Sequence, residues 1–386
     1  MKRKICVVTG SRAEYGLLKK MLFLLKSNDQ IELQLIVTGS HLSPAFGNTY
    51  KEIEKDNFNI DKKIEILLES DSSIAISKSM GLANISFAEA YQELMPDIVF
   101  VVGDRYEIFA AVTPAFIMGI PIAHHSGGEV TIGAIDDSIR HCITKLSSIH
   151  FVAMEEYKKR VIQLGEEPNR VFLVGGLGVD NILSIELADR QQISILTNFQ
   201  FSQKNILVTF HPETLEADTT VNHLMELLEA LQTFDDDTSI LFTLANADAL
   251  GKKFNEIIID FVKQKNNCFY SYSLGQKLYY SCLNEFDIVI GNSSSGLGEA
   301  PTFKIPTLNI GNRQMGRVKA NSIIDCKPDK LSILSAFNLA FEESFQEKLK
   351  NVINPYGIGG ASEMVINILS TISLEGITKK TFFDLN

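Results

Sequence analysis

The stretch Gly291–Glu299 carries residue types that hold a phosphate group, and it directly follows an apolar run. Small hydroxyl side chains and glycines at the start of a helix leave backbone N–H groups free for an anion. The residues that we expect to bind phosphate for this reason are Ser293, Ser294, Ser295 and Gly296. Glu299 follows one helical turn later, where its carboxylate can accept hydrogen bonds from ribose hydroxyls. A flexible polar loop is the alternative, and the buried strand that we predict before the stretch argues against it.

Basic residues near predicted strand ends add positive charge for the same kind of ligand. Arg313 and Arg317 follow the apolar run Thr307–Ile310, and Arg12 lies in Thr9–Gly16, where a strand ends and a helix begins. An arginine in such a place can make charge-assisted hydrogen bonds to a phosphate. The Arg12 stretch lacks the GxGxxG pattern of a dinucleotide site. An ordinary strand–helix turn with a solvated Arg12 is the alternative.

Carboxylates that could transfer protons occur in two places in the first half of the chain. Asp104 and Arg105 follow the apolar run Ile98–Val102, and Glu129 and Asp136 lie further along. Charged residues at the carboxyl end of a buried parallel strand lie where ligands bind in α/β folds. Paired carboxylates can differ in pKa, so that one serves as acid and the other as base. A helix N-cap is the alternative for Asp104 and for Asp136.

His211 is a further candidate for proton transfer or for contact with a diphosphate, because it follows the strand-like run Asn205–Thr209. A histidine in a surface loop is the alternative. The sequence contains no HExxH motif or comparable helical ligand spacing, so it does not predict a metal site. The five cysteines are scattered without a CxxC pair, which favours a reducing compartment over a disulfide framework.

Alternating apolar runs and amphipathic stretches must position these residues. In the first half, the pattern predicts strands near residues 4–8, 33–37, 97–102, 121–124 and 149–153, with helices between them. Runs that are apolar throughout are typical of strands buried on both faces of a parallel sheet. The pattern restarts at residue 205, after the glycine-rich stretch Val174–Asp180, which we interpret as a hinge.

An α/β fold of two Rossmann-like parallel-sheet domains facing a cleft is therefore the architecture that the sequence predicts. The N-terminal domain is expected at residues 1–175 and the C-terminal domain at residues 176–361. We expect the segment 362–386 to form a helix that packs back on the first domain, with Ser362 as its N-cap.

Composition restricts the partners of the chain. Its 386 residues are 22% charged and 45% hydrophobic, and the formal net charge is -11. An acidic surface argues against nucleic acid, because proteins that bind it use basic stripes. No apolar run approaches the ~20 residues that span a membrane, and the N-terminus lacks a signal-peptide pattern. We therefore expect a cytoplasmic protein without a nucleic-acid or membrane partner.

These clusters, in this order, resemble the hydrolysing UDP-N-acetylglucosamine 2-epimerase family, and in particular its sialic-acid and legionaminic-acid branch. The matching stretches are TGSRAEYG, TGSHLSPAFG, VGDRYE, GGEVTIGAIDDSIRHCITKLS, VTFHPET, TLANADA, GNSSSGLGEAP and NIGNRQMGR. They cover most of the chain. The resemblance implies a glycosyltransferase-B-like fold, a homodimer or homotetramer, and catalysis without a metal or nicotinamide cofactor.

The reaction that the resemblance implies begins with loss of UDP and of the C2 proton from UDP-N-acetylglucosamine, which gives a glycal. Water then adds with inversion at C2, giving N-acetylmannosamine and UDP. Carried over position by position, the resemblance makes Asp104 and Asp136 the catalytic carboxylates and His211 the cleft histidine. The residues that it assigns to the sugar, ribose or diphosphate are Arg12, Arg105, Ser293, Ser294, Glu299 and Arg313.

One position departs from the family's pattern. Many members read His-Ile-Glu-Gly-Gly-Glu where this chain runs from His124 to Glu129, so the first glutamate becomes Ser126, which cannot serve as a carboxylate base. Either Glu129 takes that role or Asp104 and Asp136 share the work. The change also suggests a different sugar pocket, for a UDP-linked 2,4-diacetamido-2,4,6-trideoxy sugar. A non-hydrolysing epimerase and a glycosyltransferase of the same fold are further alternatives.

Overall fold

The computed structural model describes residues 2–68, 72–131, 135–212, 217–235, 237–244, 251–272 and 274–385. The chain divides into two compact units. The first comprises Met1–Leu183 together with Tyr356–Asn386, and the second comprises Ser184–Pro355. Each unit is built on one sheet. No helix within the described ranges is both long enough and apolar enough to cross a membrane.

The sheet of the first unit consists of parallel strands. They are β1 (Arg3–Thr9), β2 (Ile31–Thr38), β3 (Lys62–Ile64), β4 (Ile98–Val102), β5 (Ile122–His125), β6 (Ile149–Val152) and β7 (Val171–Leu173). Their order is β3-β2-β1-β4-β5-β6-β7. The chain order reverses between β1 and β4, so the carboxyl ends of these two strands flank the crevice where ligands bind in such sheets.

Helices cover both faces of this sheet. They are α1 (Arg12–Ser27), α2 (Tyr50–Lys55), α3 (Ser73–Leu94), α4 (Tyr106–Ile117), α5 (Ile135–Leu146), α6 (Glu155–Gln163) and α7 (Leu177–Ser184). Alternate residues of β1 point to opposite faces. Ile5 and Val7 pack in the core that contains α1, while Cys6 and Val8 pack in the core that contains α3 and α4. Burial on both faces explains why the strand is apolar throughout.

The sheet of the second unit repeats the arrangement with parallel strands. They are β8 (Lys204–Thr209), β9 (Thr238–Thr243), β10 (Cys268–Ser271), β11 (Ile288–Gly291), β12 (Thr307–Ile310) and β13 (Ile323–Cys326). Their order is β10-β9-β8-β11-β12-β13. Here the chain order reverses between β8 and β11, so a second crevice of the same kind lies at their carboxyl ends.

The remaining helices are α8 (Arg190–Thr197), α9 (Ala217–Leu231), α10 (Gly251–Val262), α11 (Gly275–Glu285), α12 (Ser295–Gly298), α13 (Lys330–Phe341), α14 (Glu343–Leu349) and α15 (Ala361–Thr371). Leu224 and Leu227 of α9 pack with Ile206 and Val208 of β8 in the core of the second unit. Two apolar residues three positions apart on the helix therefore meet two alternate residues of the strand.

The helix α15 belongs to the first unit, where Val365 and Leu369 share a core with Leu18 of α1. A fully buried carboxylate fixes its start. Asp180 accepts hydrogen bonds from the backbone N–H groups of Ala361 at 3.2 Å and Ser362 at 2.5 Å. Two of the N–H groups that a helix start leaves without partners are thereby satisfied.

The helix α7 also belongs to the first unit, because Asn181 donates from Nδ2 to the carbonyl oxygens of Gly16 at 2.7 Å and Leu17 at 3.0 Å. The boundaries between the units consequently lie at 183/184 and 355/356. The sequence places them at 175/176 and 361/362, before α7 and inside the first turn of α15. The glycine-rich stretch that we interpreted as a hinge contains the first residues of α7.

The predicted fold of two Rossmann-like parallel-sheet domains is confirmed. One local prediction is wrong, because Ser362 does not cap α15. The N-cap is Gly360, whose φ of 86° is left-handed, and Ser362 lies within the first turn. A glycine adopts such a backbone without steric cost. Asp180 supplies from a distance the acceptor that a capping serine would supply locally.

Replacing Asp180 by Ala is expected to lower the free energy of unfolding of the first unit by about 2 kcal/mol, because two buried N–H groups lose their acceptor. Asp180→Asn, which keeps one acceptor oxygen in place, is the matched control and should lose less than half as much. Urea denaturation followed by circular dichroism measures both. Equal losses in the two variants would show that the charge of Asp180, and not its capping geometry, matters.

Candidate active site

The crevice of the first unit begins at the end of β1, where Ser11 caps α1 and accepts from the backbone N–H of Glu14 at 3.4 Å. Gly10 donates its own N–H to Glu14 Oε2 at 2.7 Å. Arg12 is the first residue of α1, and its Nε lies 3.3 Å from Glu52 Oε2 with 60% of the side chain exposed. Arg12 is therefore accessible to an anion. The anion would compete with Glu52, and an exposed ion pair of this kind contributes little energy.

On the other side of the crevice, β4 leads into α4 through Asp104 and Arg105. The N-cap of α4 is Arg105, so the interpretation of Asp104 as a helix cap is wrong. Arg105 donates from Nε to both carboxylate oxygens of Glu107 at 3.3 Å, and its Nη2 lies 3.2 Å from Oε1. Glu107 is buried while the Arg105 side chain is 47% exposed. Glu107 thus fixes one edge of a guanidinium whose remainder faces outward.

Arg140 on α5 is 4% exposed and contacts several described residues of this crevice. Its Nη2 forms an ion pair with Asp104 Oδ2 and donates to Thr131 Oγ1 at 3.1 Å. Its Nη1 donates to the carbonyl oxygen of Glu129 at 2.8 Å and lies 3.3 Å from Asp137 Oδ1. Arg140 consequently joins the end of β4, the loop after β5 and the first turn of α5.

Asp136 lies inside the first turn of α5 and not at its N-cap, so the capping interpretation of this residue is also wrong. Burial raises the pKa of Asp136, and the negative charge of Asp104 raises it further, while Arg105 and Arg140 oppose the shift. The ion pair with Arg140 engages Asp104. The two carboxyl groups that the sequence predicts as a catalytic pair therefore occupy different electrostatic environments, as an acid–base pair requires.

A further acid of this crevice, Glu14, is not among the residues that the sequence predicts for proton transfer. It is 6% exposed, and its Oε1 has no hydrogen-bond partner among the described residues. Burial raises the pKa of Glu14 to about 8, against the hydrogen bond from Gly10 and with the help of the Glu107 charge. The signal was present as Ser11 followed three residues later by a glutamate, the pattern of a capping box.

Ser126, which replaces a glutamate of the family pattern, follows β5 with a left-handed φ of 78°. Its Oγ lies 3.0 Å from His125 Nδ1, and His125 Nε2 lies 3.0 Å from the carbonyl oxygen of Gly175. A carbonyl oxygen only accepts, so Nε2 carries the proton. Burial lowers the pKa of His125 to about 4. The neutral ring therefore accepts at Nδ1 from the Ser126 hydroxyl. This hydrogen bond holds the Ser126 side chain in place at a position where the backbone is strained.

The crevice of the second unit is organised by Asn292, which is fully buried after β11. Its side chain accepts from the backbone N–H of His211 at 2.8 Å and donates to the carbonyl oxygen of His211 at 2.8 Å. Its own carbonyl oxygen accepts from Arg313 Nη1 at 3.1 Å and Gln314 Nε2 at 2.9 Å. One residue thereby connects the loops that follow β8, β11 and β12.

The serine-rich segment of residues 291–295, which we call the serine turn, begins at Gly291. There the chain passes very close to β8. The φ of Gly291 is 149°, and a Cβ atom there would lie 1.9 Å from the carbonyl oxygen of Thr209, so only glycine fits. The helix α12 that follows is a single turn. Ser295 Oγ is hydrogen-bonded to the hydroxyl of Tyr279, whereas Ser294 is exposed. The Tyr279 hydroxyl thus holds the turn at Ser295, while Ser294 remains accessible to solvent.

Glu299 follows α12, and Tyr280 donates its hydroxyl to Glu299 Oε1 at 3.3 Å. Burial raises the pKa of Glu299 to about 7, against the effect of that hydrogen bond. A carboxyl group titrating near neutrality accepts hydrogen bonds when ionised and donates one when protonated. Neither Tyr279 nor Tyr280 was predicted, because their only sequence signal is a place on the helix that precedes β11.

The structure brings the predicted residues together in two groups. At the first crevice lie Arg12, Asp104, Arg105, Glu129 and Asp136. At the second crevice lie His211, Ser293, Ser294, Ser295, Gly296, Glu299 and Arg313. Part of the predicted TLANADA stretch and Glu213 lie outside the described residues. Within the described ranges, no three His, Cys, Asp or Glu side chains are grouped to hold a metal ion.

The protein-family model for UDP-N-acetylglucosamine 2-epimerase matches residues 24–370. The chain is 42% identical, over 100% of both chains, to a GDP/UDP-N,N'-diacetylbacillosamine 2-epimerase (hydrolyzing) of Campylobacter jejuni. It is 38% identical to polysialic acid biosynthesis protein P7 of Escherichia coli, covering 99% of this chain and 98% of that one.

A crystal structure of UDP-GlcNAc 2-epimerase from Neisseria meningitidis, bound to UDP-GlcNAc, superimposes with a TM-score of 0.77. The match covers 95% of this chain and 99% of the other, at 20% sequence identity. At that identity the likeness concerns the fold, and it agrees with the expected glycosyltransferase-B-like architecture.

Removing the Arg140 side chain is expected to destabilise the first unit, because Asp104 would lose its partner in a partly buried place. Arg140→Met should lower the free energy of unfolding by about 3 kcal/mol. In a double-mutant cycle with Asp104→Asn, the coupling energy should exceed about 1 kcal/mol. Denaturant titration measures the cycle. Arg12→Met, which removes an exposed arginine of the same crevice, is the control and should cost at most about 0.5 kcal/mol. A coupling near zero would contradict the ion pair.

Proposed function

Because the chain belongs to the UDP-N-acetylglucosamine 2-epimerase family, we propose that it is a hydrolysing UDP-sugar 2-epimerase that releases UDP and the C2-inverted sugar. In the proposed reaction, the C2 proton leaves to a carboxylate while the C1–oxygen bond to the diphosphate breaks, giving a glycal. Water then adds across the double bond, with its oxygen at C1 and a proton at C2 on the opposite face. The observation that carries the proposal is the pair Asp104 and Asp136, which Arg140 renders electrostatically unequal.

Asp136 is the residue that we assign to proton transfer at C2. Its pKa is raised by burial and by the charge of Asp104, which brings it closer to the pH at which a base works efficiently. Asp104 forms an ion pair with Arg140. Its proposed role is to fix the position of the Arg140 guanidinium and to supply negative charge near the reacting carbon. Glu129 contributes its carbonyl oxygen to the same cluster, and its carboxylate is a second candidate for a proton-transfer step.

The diphosphate and ribose are assigned to the second crevice and to the basic residues. Ser293 and Ser294 precede the one-turn helix α12, and Ser295 and Gly296 are its first two residues. We assign these four residues to the phosphate groups, with the serine hydroxyls as donors. Glu299 suits the ribose hydroxyls, and the exposed Arg313 suits the leaving diphosphate. His211 is assigned to the diphosphate, where it can donate a hydrogen bond as negative charge develops. Arg12 and Arg105 are assigned to the diphosphate and sugar from the first unit.

The sugar that we propose as substrate is a UDP-linked 2,4-diacetamido-2,4,6-trideoxy sugar of the N,N'-diacetylbacillosamine type. Two observations support it: the relative with 42% identity bears that substrate in its name, and Ser126 stands where many members have a glutamate. A serine is smaller and uncharged, so it leaves room for a bulkier substituent. UDP-N-acetylglucosamine is the second candidate, which the sequence resemblance favours and which the name of the matching family model supports.

The test is to incubate the protein in deuterated water with each of three substrates and to follow the products by NMR. They are UDP-diacetylbacillosamine, GDP-diacetylbacillosamine and UDP-N-acetylglucosamine. We expect a free C2-inverted sugar carrying deuterium at C2, together with UDP from a UDP-sugar and GDP from the GDP-sugar if it is turned over. The value of kcat/KM should be at least tenfold higher for UDP-diacetylbacillosamine than for UDP-N-acetylglucosamine. The reverse order would transfer the proposal to UDP-N-acetylglucosamine. Inverted sugar still attached to UDP, or no release of UDP without an acceptor, would refute the hydrolysing reaction.

Replacing Asp136 by Asn should lower kcat by about 10²–10⁴-fold, the contribution of a positioned proton-transfer group, while the affinity for UDP changes less than twofold. The wild-type rate should rise with pH through a pKa above that of an ordinary aspartate, since the ionised form is the base and burial raises its pKa. That acidic limb should vanish in Asp136→Asn. Glu129→Gln is the matched control. If Glu129→Gln removes the limb and Asp136→Asn keeps it, the assignment of the base is wrong.

A further inference from the structure

The carboxyl end of α5 is bound by a lysine from the far end of the chain. Lys380 donates from Nζ to the carbonyl oxygens of Lys145 at 2.7 Å and Ser147 at 2.6 Å. Its third contact is an ion pair of 2.6 Å with Glu166 Oε2, so all three ammonium protons have acceptors. Carbonyl oxygens at a helix end lack partners within the helix and attract cations. Lys380 therefore acts as a cap for α5 from 235 residues away in sequence.

The carboxylate beneath this cap is itself highly connected. Glu166 is 1% exposed, and it accepts from Lys145 Nζ at 2.6 Å and His150 Nε2 at 2.9 Å as well as from Lys380. Burial alone would raise the pKa of Glu166, but these three donors lower it to about 2. A buried charge with several good hydrogen bonds is costly to move, because any displacement leaves it without partners. The carboxyl end of α5 is thus connected by these hydrogen bonds to β6 and to the loop after α6.

The segment around Lys380 is held along its length. Arg170 Nη1 donates to the carbonyl oxygen of Ile377 at 2.6 Å, and the backbone N–H of Phe383 donates to the carbonyl oxygen of Gly165 at 3.0 Å. A Cβ atom on Gly165 would lie 2.4 Å from the Phe382 ring, so this glycine allows the segment to approach closely. Lys380 is consequently a fixed point and not the end of a mobile side chain.

The amino-terminal half of α5 carries Asp136 and Arg140, the groups on which the proposed proton transfer rests. About ten residues separate Asp136 from the capped end, which is roughly 15 Å of rigid helix. An axial shift of the helix by one residue would move Asp136 by about 1.5 Å, and a misplacement of about 1 Å can cost 10²-fold in rate. We propose that Lys380 is a positioning residue for the reaction, because it fixes the axial position of α5 and thereby places Asp136 and Arg140 in the first crevice.

The test compares Lys380→Met, which keeps the aliphatic stem without the charge, with Thr381→Ala in the same segment. Thr381 Oγ1 donates to Glu167 Oε1 at 2.7 Å in an exposed contact that does not involve α5, so Thr381→Ala is the matched control. We expect kcat to fall about tenfold in Lys380→Met at a temperature well below its unfolding midpoint, with UDP affinity within twofold of wild type. Thr381→Ala should leave both unchanged.

Hydrogen exchange followed by mass spectrometry gives a readout that does not depend on turnover. In Lys380→Met, amides of α5 should exchange at least tenfold faster, while those of α1 and of the second unit keep their wild-type rates. A kcat within twofold of wild type, or faster exchange throughout the first unit, would overturn the proposal and leave Lys380 a stabilising residue only.

The kinetic arm rests on the proposed function, whereas the exchange arm does not. If wild-type protein turns over none of the UDP-sugars, the proposed function fails, and exchange alone then decides whether Lys380 controls α5.

Discussion

Parallel strands of one sheet all end at the same edge, and this constraint determines where chemistry can occur in the molecule. In each unit the chain order reverses once, between β1 and β4 and between β8 and β11. The loops that leave these strands diverge to opposite faces, and they expose backbone groups at the gap. Gly10, Asp104, His211 and Ser293 all follow one of these strands within two residues. The four clusters are separate in the sequence, yet each lies at a strand end where the strand order of its sheet reverses.

The alternation of buried strands with amphipathic helices was predictable from sequence because each signal is local. The strand β4 consists of five apolar residues, all of them buried. A run without polar residues has no side that could face water, so it predicts a strand in the interior of a sheet. The short edge strands β3, β7, β10 and β13 escaped prediction because each has only three or four residues and a mixed burial pattern. Their identity as strands depends on a neighbour that is distant in the sequence, which no local period records.

For the candidate site, the sequence predicts the types of residue that the structure places at the two crevices, but not the hydrogen bonds that connect them. Asp104 was identifiable as an acid at a strand end and Asp136 as one of a pair of carboxylates. Arg140, which distinguishes the two, gave no signal beyond its spacing on α5. Asn292 was visible only as one letter in a serine-rich stretch, although it joins three loops through backbone groups of His211 and the side chains of Arg313 and Gln314. Side chains that act on backbone groups, or across long sequence separations, leave no periodic trace. For the same reason Asp180, and not the local Ser362, satisfies the start of α15.

The close passage of Gly291 beside Thr209 separates the serine turn into positions that can change and positions that cannot. Any larger residue at Gly291 would push β11 away from β8, and any change at Asn292 would release His211. Ser294 and Arg313 lie on the exposed side of the same turn and loop. A library that diversifies this turn therefore has freedom at the exposed rim, where Ser294 and Arg313 lie, whereas variants at Gly291 or Asn292 would consist mostly of misfolded chains.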